Sequence, residues 1–223
     1  MARYVSGLFG LGIMFSLLSC AYQSAIELPP LTVTPEPAIN CDAVYPKGKW
    51  QFVHSIAFSM ADGKKGTAIG VSVLDDPVIQ SALMTIEGFV LFEAALGGQL
   101  EITRAVPPFD NLEFARGLMR DLQLIFFRPA SNKMQYGRLD DGSPLCRYQE
   151  TSGESTDVVL FADHGWEINH YDAKGRRTRT IKARPQITQN LENQWLPPKQ
   201  LELQANGILQ YTLKMDLISS ENF

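Results

Sequence analysis

Residues 50–60 read Trp-Gln-Phe-Val-His-Ser-Ile-Ala-Phe-Ser-Met, with large side chains at every second position. A period of two is typical of a strand that buries one face in a core and turns the other to water. Asp62-Gly63 then provides a two-residue hairpin turn. Ile69, Val71 and Val73 continue the alternation on the return strand. The stretch therefore predicts an antiparallel β-hairpin at the start of the folded domain.

More segments of strand length follow this hairpin. A long apolar run covers residues 82–96 and ends at Gly97-Gly98, after which Leu100 and Ile102 begin another strand. Asn206-Gly207 predicts a second hairpin turn near the end of the chain. The later predicted strands cover residues 145–149, 158–162, 166–171, 178–183, 200–204 and 209–218.

One helix is predicted between the two groups of strands. Asp110 is a good N-cap, and Glu113 at the third helical position completes a capping box. Apolar residues recur at helical spacing as far as Phe126, and Pro129 ends the segment. Strands, one central helix and further strands predict an α+β protein, in which the helix covers the concave face of a curved antiparallel sheet.

The amino-terminal sequence predicts a leader. Met-Ala-Arg is followed by an apolar stretch over residues 4–18, which is shorter than the roughly 20 residues that span a bilayer. Such a segment is typical of a signal peptide. It ends in Leu-Leu-Ser-Cys at residues 17–20, which resembles the lipobox of bacterial lipoproteins. An ordinary secretory signal with an incidental cysteine is the alternative.

The resemblance to the lipobox implies that residues 1–19 are removed and that Cys20 is acylated, with chains such as palmitate. Ala21 follows the cysteine, which in enterobacterial lipoproteins points to the outer membrane. We therefore expect a lipid-anchored protein on the periplasmic face of the outer membrane. Residues 20–44 contain four prolines and no periodicity, so they are predicted to form a semi-extended tether with a reach of up to roughly 70 Å. The domain is then expected over residues 45–223.

With Cys20 acylated, Cys41 and Cys146 remain. In an oxidising compartment they either form a disulfide or stay as two separate buried thiols. Their spacing contains no Cys-x-x-Cys pair, and no pair of histidines lies near them, so we expect no metal site. The net charge of −4 gives no reason to expect a nucleic acid partner.

Catalytic signals are weak throughout the sequence. The three histidines are His54, His164 and His170, and no serine stands in a Gly-x-Ser-x-Gly motif. His54 lies on the apolar face of a strand and is predicted to be a core or cavity residue rather than a general base. The basic run at residues 174–179 is predicted to be a solvated hairpin, with contact to anionic headgroups as the alternative. We expect no cofactor and no catalytic residues.

Four stretches, in order and spacing, resemble the LolA/LolB group of periplasmic lipoprotein-binding proteins. The segment at residues 122–129, Leu-Gln-Leu-Ile-Phe-Phe-Arg-Pro, departs from LolB. It is similar instead to a family of outer-membrane lipoproteins, some encoded with aryl-polyene pathways, that share this fold. The four LolB-like stretches are residues 50–64, 95–102, 165–172, and 196–203 with 211–216.

The resemblance implies an incomplete β-barrel around an apolar cavity that helices cover. It also implies that the protein binds or transfers acyl chains of lipoproteins or related lipids without covalent catalysis, with a periplasmic carrier protein as a partner. Leu96 corresponds to a protruding leucine of LolB and is expected to touch the bilayer or the cargo. The residues expected to line the cavity are Trp50, Phe52, Ile56, Phe58, Val71, Met84, Ile86, Leu118 and Leu122.

Three alternatives remain open at this point. Apolar periodicity alone does not distinguish a ligand cavity from a filled core, and the same residues would serve either. A filled, closed core would favour a scaffold or assembly lipoprotein whose partner is a protein. An envelope hydrolase is disfavoured by the absence of a recognisable triad, and a loss of activity on changing His54 would revive it.

Overall fold

The computed structural model describes residues 27–34, 40–185, 195–207 and 210–223. The predicted signal peptide and Cys20 lie outside these ranges. Within them the chain forms strands, one α-helix and one short 3₁₀ helix. The helix α1 is Leu112–Phe126, and the 3₁₀ helix is Cys41–Val44. The strands are β1 (Thr32–Val33), β2 (Trp50–Met60), β3 (Lys65–Asp75), β4 (Val78–Met84), β5 (Val90–Leu96), β6 (Leu100–Ala105), β7 (Lys133–Arg138), β8 (Pro144–Gln149), β9 (Ser155–Leu160), β10 (Trp166–Tyr171), β11 (Arg177–Arg184), β12 (Gln200–Ala205) and β13 (Tyr211–Asn222).

All the strands join in one antiparallel sheet with the order β1-β7-β8-β9-β10-β11-β12-β13-β2-β3-β4-β5-β6. Consecutive strands are neighbours except where β13 pairs with β2 and β7 with β1. The sheet curves around α1 and stays open, because its edge strands β1 and β6 do not pair within the described ranges. The predicted α+β class and the curved antiparallel sheet are confirmed.

Helix α1 begins one residue later than the sequence predicts. Its N-cap is Asn111, whose side-chain oxygen accepts a hydrogen bond from the backbone N–H of Phe114 at 3.0 Å. The prediction of Asp110 as the cap was wrong. Both side chains can cap a helix, so sequence alone leaves a choice between neighbours.

The apolar run over residues 82–96 is two strands rather than one element. Strand β4 ends at Met84, and β5 begins at Val90. Between them the chain reverses with Gly88 at a φ of 91°, a backbone conformation that glycine adopts without strain. Strands β1 and β7 are further elements that the sequence analysis did not predict.

The segment before residue 45 differs from the predicted free tether. Strand β1 adds to the edge of β7, with Thr32 opposite Arg138 and Val33 opposite Gly137. Farther along, Cys41 is buried in the 3₁₀ helix. A proline-rich chain can lie on a sheet in this way because its carbonyls still accept hydrogen bonds.

A disulfide fixes this segment to the sheet. Cys41 is joined to Cys146 of β8, with the two Cα atoms 6.2 Å apart. Of the two states that the sequence left open, the structure has the disulfide. The described part of residues 27–44 therefore packs as part of the domain.

Candidate functional site

The space between α1 and the sheet is the candidate site. We call the side of the sheet that α1 covers the inner face. In β2 the inner positions are even-numbered, as shown by the burial of Phe52, His54 and Ile56. A cavity of about 20 Å³ remains between this face and the helix. It is lined by His54, Ile56, Gly70, Ser72, Ser81, Leu83, Leu118, Asp121, Leu122, Ile125, Leu203, Leu213 and Met215.

Small residues make room for the helix. The inner face carries Gly70 and Ser72 on β3 and Ser81 on β4, all buried. A Cβ atom at Gly70 would lie 2.5 Å from Cδ1 of Ile56, so the site admits no larger residue without a shift of its neighbours. The space that large side chains would fill is occupied by α1 instead, through Leu118 and its neighbours. The helix thus packs where an apolar ligand could otherwise lie.

The structure brings together three of the predicted cavity residues. Ile56 from β2 and Leu118 and Leu122 from α1 all line the remaining cavity. Each is buried, at 7–9% exposure. The helical spacing of four residues places both leucines on the side of α1 that faces the sheet.

Three more predicted residues lie on the inner face away from the cavity. Phe52 stacks between Trp50 and Phe126, with ring centroids 5.5 and 5.0 Å away. Trp195 packs edge-on against Trp50 at 5.1 Å. These rings fill the core at the carboxyl end of α1. Phe58 is partly buried and lies over Gly66, where an added Cβ would come within 2.6 Å of its ring.

Val71, Met84 and Ile86 were wrongly predicted to line the cavity. Val71 is half-buried on the outer face of β3, because its neighbours Gly70 and Ser72 point inward. Met84 is likewise on the outer face, and Ile86 is 71% exposed in the turn after β4. The prediction followed the larger apolar side chains, whereas in β3 the inner positions belong to the smaller residues.

Leu96 is not a protruding loop residue. It is the last residue of β5, opposite Ile79 and Leu100 in the sheet, and it is partly buried against the core. The tip of the loop consists of Gly97 and Gly98. The expectation that Leu96 projects toward the bilayer or the cargo is therefore not met by its placement.

A buried polar cluster ties α1 to the sheet, and the sequence analysis missed it. Nε of Arg179 on β11 lies 2.6 Å from a carboxylate oxygen of Asp121 on the helix, and the hydroxyl of Tyr211 on β13 donates to the other oxygen. Burial raises the pKa of Asp121, while Arg179 and Tyr211 act against that shift. Burial also raises the pKa of Tyr211. The three residues are far apart in sequence, so no local pattern announces the cluster.

This cluster also corrects the prediction for the basic run at residues 174–179. Arg176 is in the exposed hairpin, where it pairs with Asp172 at 2.6 Å. Arg179, by contrast, points inward, with only 19% of its side chain exposed. A single run of basic residues is thus divided between a solvated turn and the interior.

The inner face offers little for acid–base catalysis. His54 is 3% exposed, and burial lowers its pKa to about 4, so it is neutral at pH 7. No cluster of three or more potential metal ligands occurs in the described ranges. In the same part of the chain no helix is long and apolar enough to cross a bilayer.

No protein family matches the chain, and no curated protein matches it either. Among solved structures, it is similar to a LolA superfamily protein from Nitrosomonas europaea. That match has 10% identity and a TM-score of 0.44, and it covers 82% of this chain and 90% of the other. It is also similar to a domain from Vibrio parahaemolyticus named for outer membrane lipoprotein sorting. Here the identity is 8%, the TM-score 0.46, and the coverage 81% and 88%. At these identities the likeness concerns the fold alone.

Proposed function

We propose that this protein is a lipid-anchored envelope protein that binds an apolar ligand, such as a lipoprotein acyl chain, between α1 and the inner face of the sheet. The observation that carries the proposal is the pairing of an amphipathic helix with small residues on the inner face of the sheet. Leu118 and Leu122 of the helix line the same cavity as Gly70 and Ser72 of the sheet. A ligand that replaced these leucines would meet the same apolar surface.

In this closed arrangement the cavity is too small for an acyl chain. Its volume of about 20 Å³ has room for about one water molecule, whereas ligand pockets are usually about 300 Å³ or larger. Binding therefore requires α1 to move away from the sheet as a lid. Moving a 16-carbon chain out of water is worth on the order of 10 kcal/mol, which could offset the loss of the helix packing.

The polar cluster fits a lid that closes in one position. Asp121 is the only acidic residue of α1 that is buried, and it faces Arg179 and Tyr211 across the interior. A buried ion pair of this kind specifies the position in which the helix docks on the sheet, while Leu118 and Leu122 contribute the buried apolar area. Transfer of the ligand needs no covalent step and no cofactor.

The proposal places the protein at the periplasmic face of the outer membrane through acylated Cys20. The supporting observation is the lipobox-like end of the apolar leader, Leu-Leu-Ser-Cys. Several acyl chains hold a protein firmly in a bilayer, because each buried CH₂ group contributes about 0.8 kcal/mol.

Changing Cys20 to Ser is expected to release the protein from membranes or to stall its processing. Fractionation of cells grown with labelled palmitate measures both effects. The wild-type protein should carry the label and sediment with the outer membrane. Equal labelling and equal sedimentation of the Cys20→Ser variant would show that the anchor is elsewhere.

Changing Leu122 to Gln is expected to weaken binding of a fluorescent fatty-acid probe about tenfold, since an amide without a partner in an apolar site costs roughly 1–3 kcal/mol. Leu112→Gln is the matched control, because Leu112 is on the same helix but 52% exposed. Fluorescence titration of folded protein gives the dissociation constants. Urea unfolding of both variants shows how much of each sample is folded.

The closed interior also favours a second function, a scaffold lipoprotein whose partner is another protein. The same titration separates the two functions. A wild-type protein that binds no fatty-acid probe at any concentration below micelle formation would favour the scaffold. Probe binding that Leu122→Gln and Leu112→Gln weaken equally would place the probe outside the interior.

A further inference from the structure

The two ends of the sheet are different surfaces. In an antiparallel sheet, alternate turns lie at opposite ends. The pairs Ser59–Lys65, Met84–Val90 and Tyr171–Arg177 close turns at one end, which we call the upper rim. Met60 at the end of β2 pairs with Tyr211 at the start of β13, so the turns on both sides of this strand pair lie at the same end of the sheet. The turns of the upper rim cover residues 61–64, 85–89, 150–154 and 172–176, and those of the opposite lower rim cover 76–77, 97–99, 139–143 and 161–165.

The chain enters the described structure at the upper rim. Glu27 forms a β-bridge with Arg176, and the backbone N–H of Leu28 donates to the carbonyl of Gly175 at 2.8 Å. Both partners belong to the turn between β10 and β11. The amino-terminal end of the described domain is therefore held at this rim.

Only six residues lie between Cys20 and Glu27, a sequence separation of seven. Even a fully extended chain of that length spans no more than about 25 Å. The predicted semi-extended tether of residues 20–44 would have allowed the domain to lie up to roughly 70 Å from the anchor, in any orientation. The short connection instead keeps the upper rim near any anchor on Cys20, and it leaves the lower rim roughly 20 Å farther away, at the other end of the six-residue strands β9 and β10.

The upper rim also carries the two most exposed large apolar side chains of the described residues. Phe89 is 72% exposed and Ile86 is 71% exposed, both in the turn between β4 and β5. The turn is well ordered by hydrogen bonds, since the N–H of residue 85 donates to the carbonyl of Phe89 at 2.9 Å and the N–H of Gly88 donates to the carbonyl of residue 85 at 3.0 Å. A firm turn thus holds two apolar side chains out from the protein.

The lower rim has a different character. Phe161 is exposed there, at 43%, Ile218 is exposed on β13, and Phe223 is exposed directly after it. Both rims carry carboxylates, including Asp62, Glu87 and Asp172 in the upper turns and Asp76, Asp140, Asp141 and Asp163 in the lower turns. The upper turns also carry Lys64, Lys174 and Arg176, whereas the lower turns contain no lysine or arginine. Anionic lipid headgroups would therefore repel the lower rim more strongly.

We propose that the upper rim faces the bilayer, and that Ile86 and Phe89 insert into its interface when Cys20 anchors the protein. This inference rests on the lipid anchor of the proposed function. It makes the β4–β5 turn, rather than Leu96, the membrane-contacting element of this chain. Burial of the two apolar side chains adds to the attachment by the acyl chains and sets the orientation of the domain.

The test is a depth measurement on the full-length, acylated protein. Phe89→Cys and Phe161→Cys are matched variants, since each replaces an exposed phenylalanine in a turn with a thiol for a bimane label. The native thiols do not compete, because Cys41 and Cys146 form a disulfide and Cys20 carries the lipid. The labelled proteins are reconstituted in phosphatidylethanolamine–phosphatidylglycerol vesicles with and without doxyl-labelled phospholipid.

We expect the label at position 89 to lose most of its emission in doxyl-containing vesicles and the label at position 161 to keep nearly all of it. Stronger quenching at position 161, or equal quenching at both, would overturn the proposed orientation. Palmitate labelling of the same preparations is measured separately. If the protein is acylated but the label at position 89 is not quenched, the proposed orientation is wrong and the lipid anchor stands. If the protein carries no acyl label, both the lipid anchor and the orientation are wrong.

Discussion

Reduction of the Cys41–Cys146 disulfide is expected to lower the free energy of unfolding by about 4.7 kcal/mol, the value that chain entropy gives for a loop near 100 residues. The bond closes a loop with a sequence separation of 105 residues. Most small domains are stable by only about 5–15 kcal/mol. The reduced protein should therefore be partly unfolded at growth temperature.

The expected loss follows from what the disulfide fastens. Cys41 lies in the 3₁₀ helix Cys41–Val44 and packs against the sheet, while β1 pairs along the edge strand β7. Without the bond, the segment is held by noncovalent contacts alone, among them the two-residue strand β1 and the hydrogen bond from Arg147 to Pro29. Separation of the segment would expose the buried side chains of Val44 and Tyr45.

Urea unfolding of oxidised protein and of a Cys41→Ala/Cys146→Ala variant measures the effect. Both proteins carry Cys20→Ser, so that no third thiol can exchange. Alanine is preferred to serine because both cysteines are buried, at 2% and 0% exposure. Equal transition midpoints for the two proteins would contradict the prediction.

The sequence predicted those parts of the fold in which one local pattern dominates. The alternation at residues 50–60 predicted β2 with the bounds that the structure has, Trp50–Met60. Strand β10, Trp166–Tyr171, was predicted with its observed bounds as well. In both strands most inner positions hold large apolar side chains, such as Phe52 and Ile56 on β2 and Trp166 and Ile168 on β10, so that binary pattern and burial agree there.

Prediction of the site residues failed where the hydrophobic pattern of a strand does not agree with the face that the strand buries. On β3 the large apolar residues Ile69, Val71 and Val73 face outward, while the inner positions are Ala68, Gly70, Ser72 and Leu74, of which only Leu74 is large. Hydrophobicity alone assigns the wrong face to such a strand, because the helix that covers the small residues is remote in sequence. Which face of β3 is buried depends on packing between elements that are distant in sequence, and a local sequence pattern does not show that packing.

The exposed apolar turn was missed for a related reason. Ile86 and Phe89 lie in the long, largely apolar run at residues 82–96, a pattern that is typical of a buried strand. Gly88 was the local signal that could have divided the run. Leu96 stood next to two glycines and was assigned to a loop tip, yet its partners Ile79 and Leu100 lie on neighbouring strands. The position of each side chain depended on strand register, which local sequence specifies poorly.

Changing Asp157 to Asn is expected to lower the free energy of unfolding by about 3–5 kcal/mol, because it leaves the charge of Arg147 buried without a partner. Nε and Nη2 of Arg147 each donate to a different carboxylate oxygen of Asp157 at 2.7 Å. The two side chains are only 7% and 2% exposed. Nη2 also donates to the carbonyl of Pro29 at 2.9 Å, so the pair supports the amino-terminal segment on the sheet.

Asp172→Asn is the matched control for this substitution. Nε and Nη2 of Arg176 donate to the Asp172 carboxylate at 2.8 and 2.6 Å, which is a similarly close contact. That pair is more exposed, however, with 56% of the arginine and 24% of the aspartate side chain accessible. Since exposed ion pairs contribute only about 0–1 kcal/mol, the control should unfold within about 1 kcal/mol of the wild-type protein.

A third variant distinguishes the net contribution of the ion pair to stability from the cost of leaving one of its charges buried without a partner. Replacing both partners, as Arg147→Met/Asp157→Leu, removes the charges together, and such replacements are often neutral or stabilising. The double variant is therefore expected to regain most of the stability that Asp157→Asn loses, except for the contact to Pro29. Thermal and urea unfolding of the four proteins give the comparison. If Asp157→Asn and Asp172→Asn lower the free energy of unfolding by equally small amounts, the prediction is wrong. The charge of Arg147 is then hydrated, and water reaches the interior beneath residues 27–34.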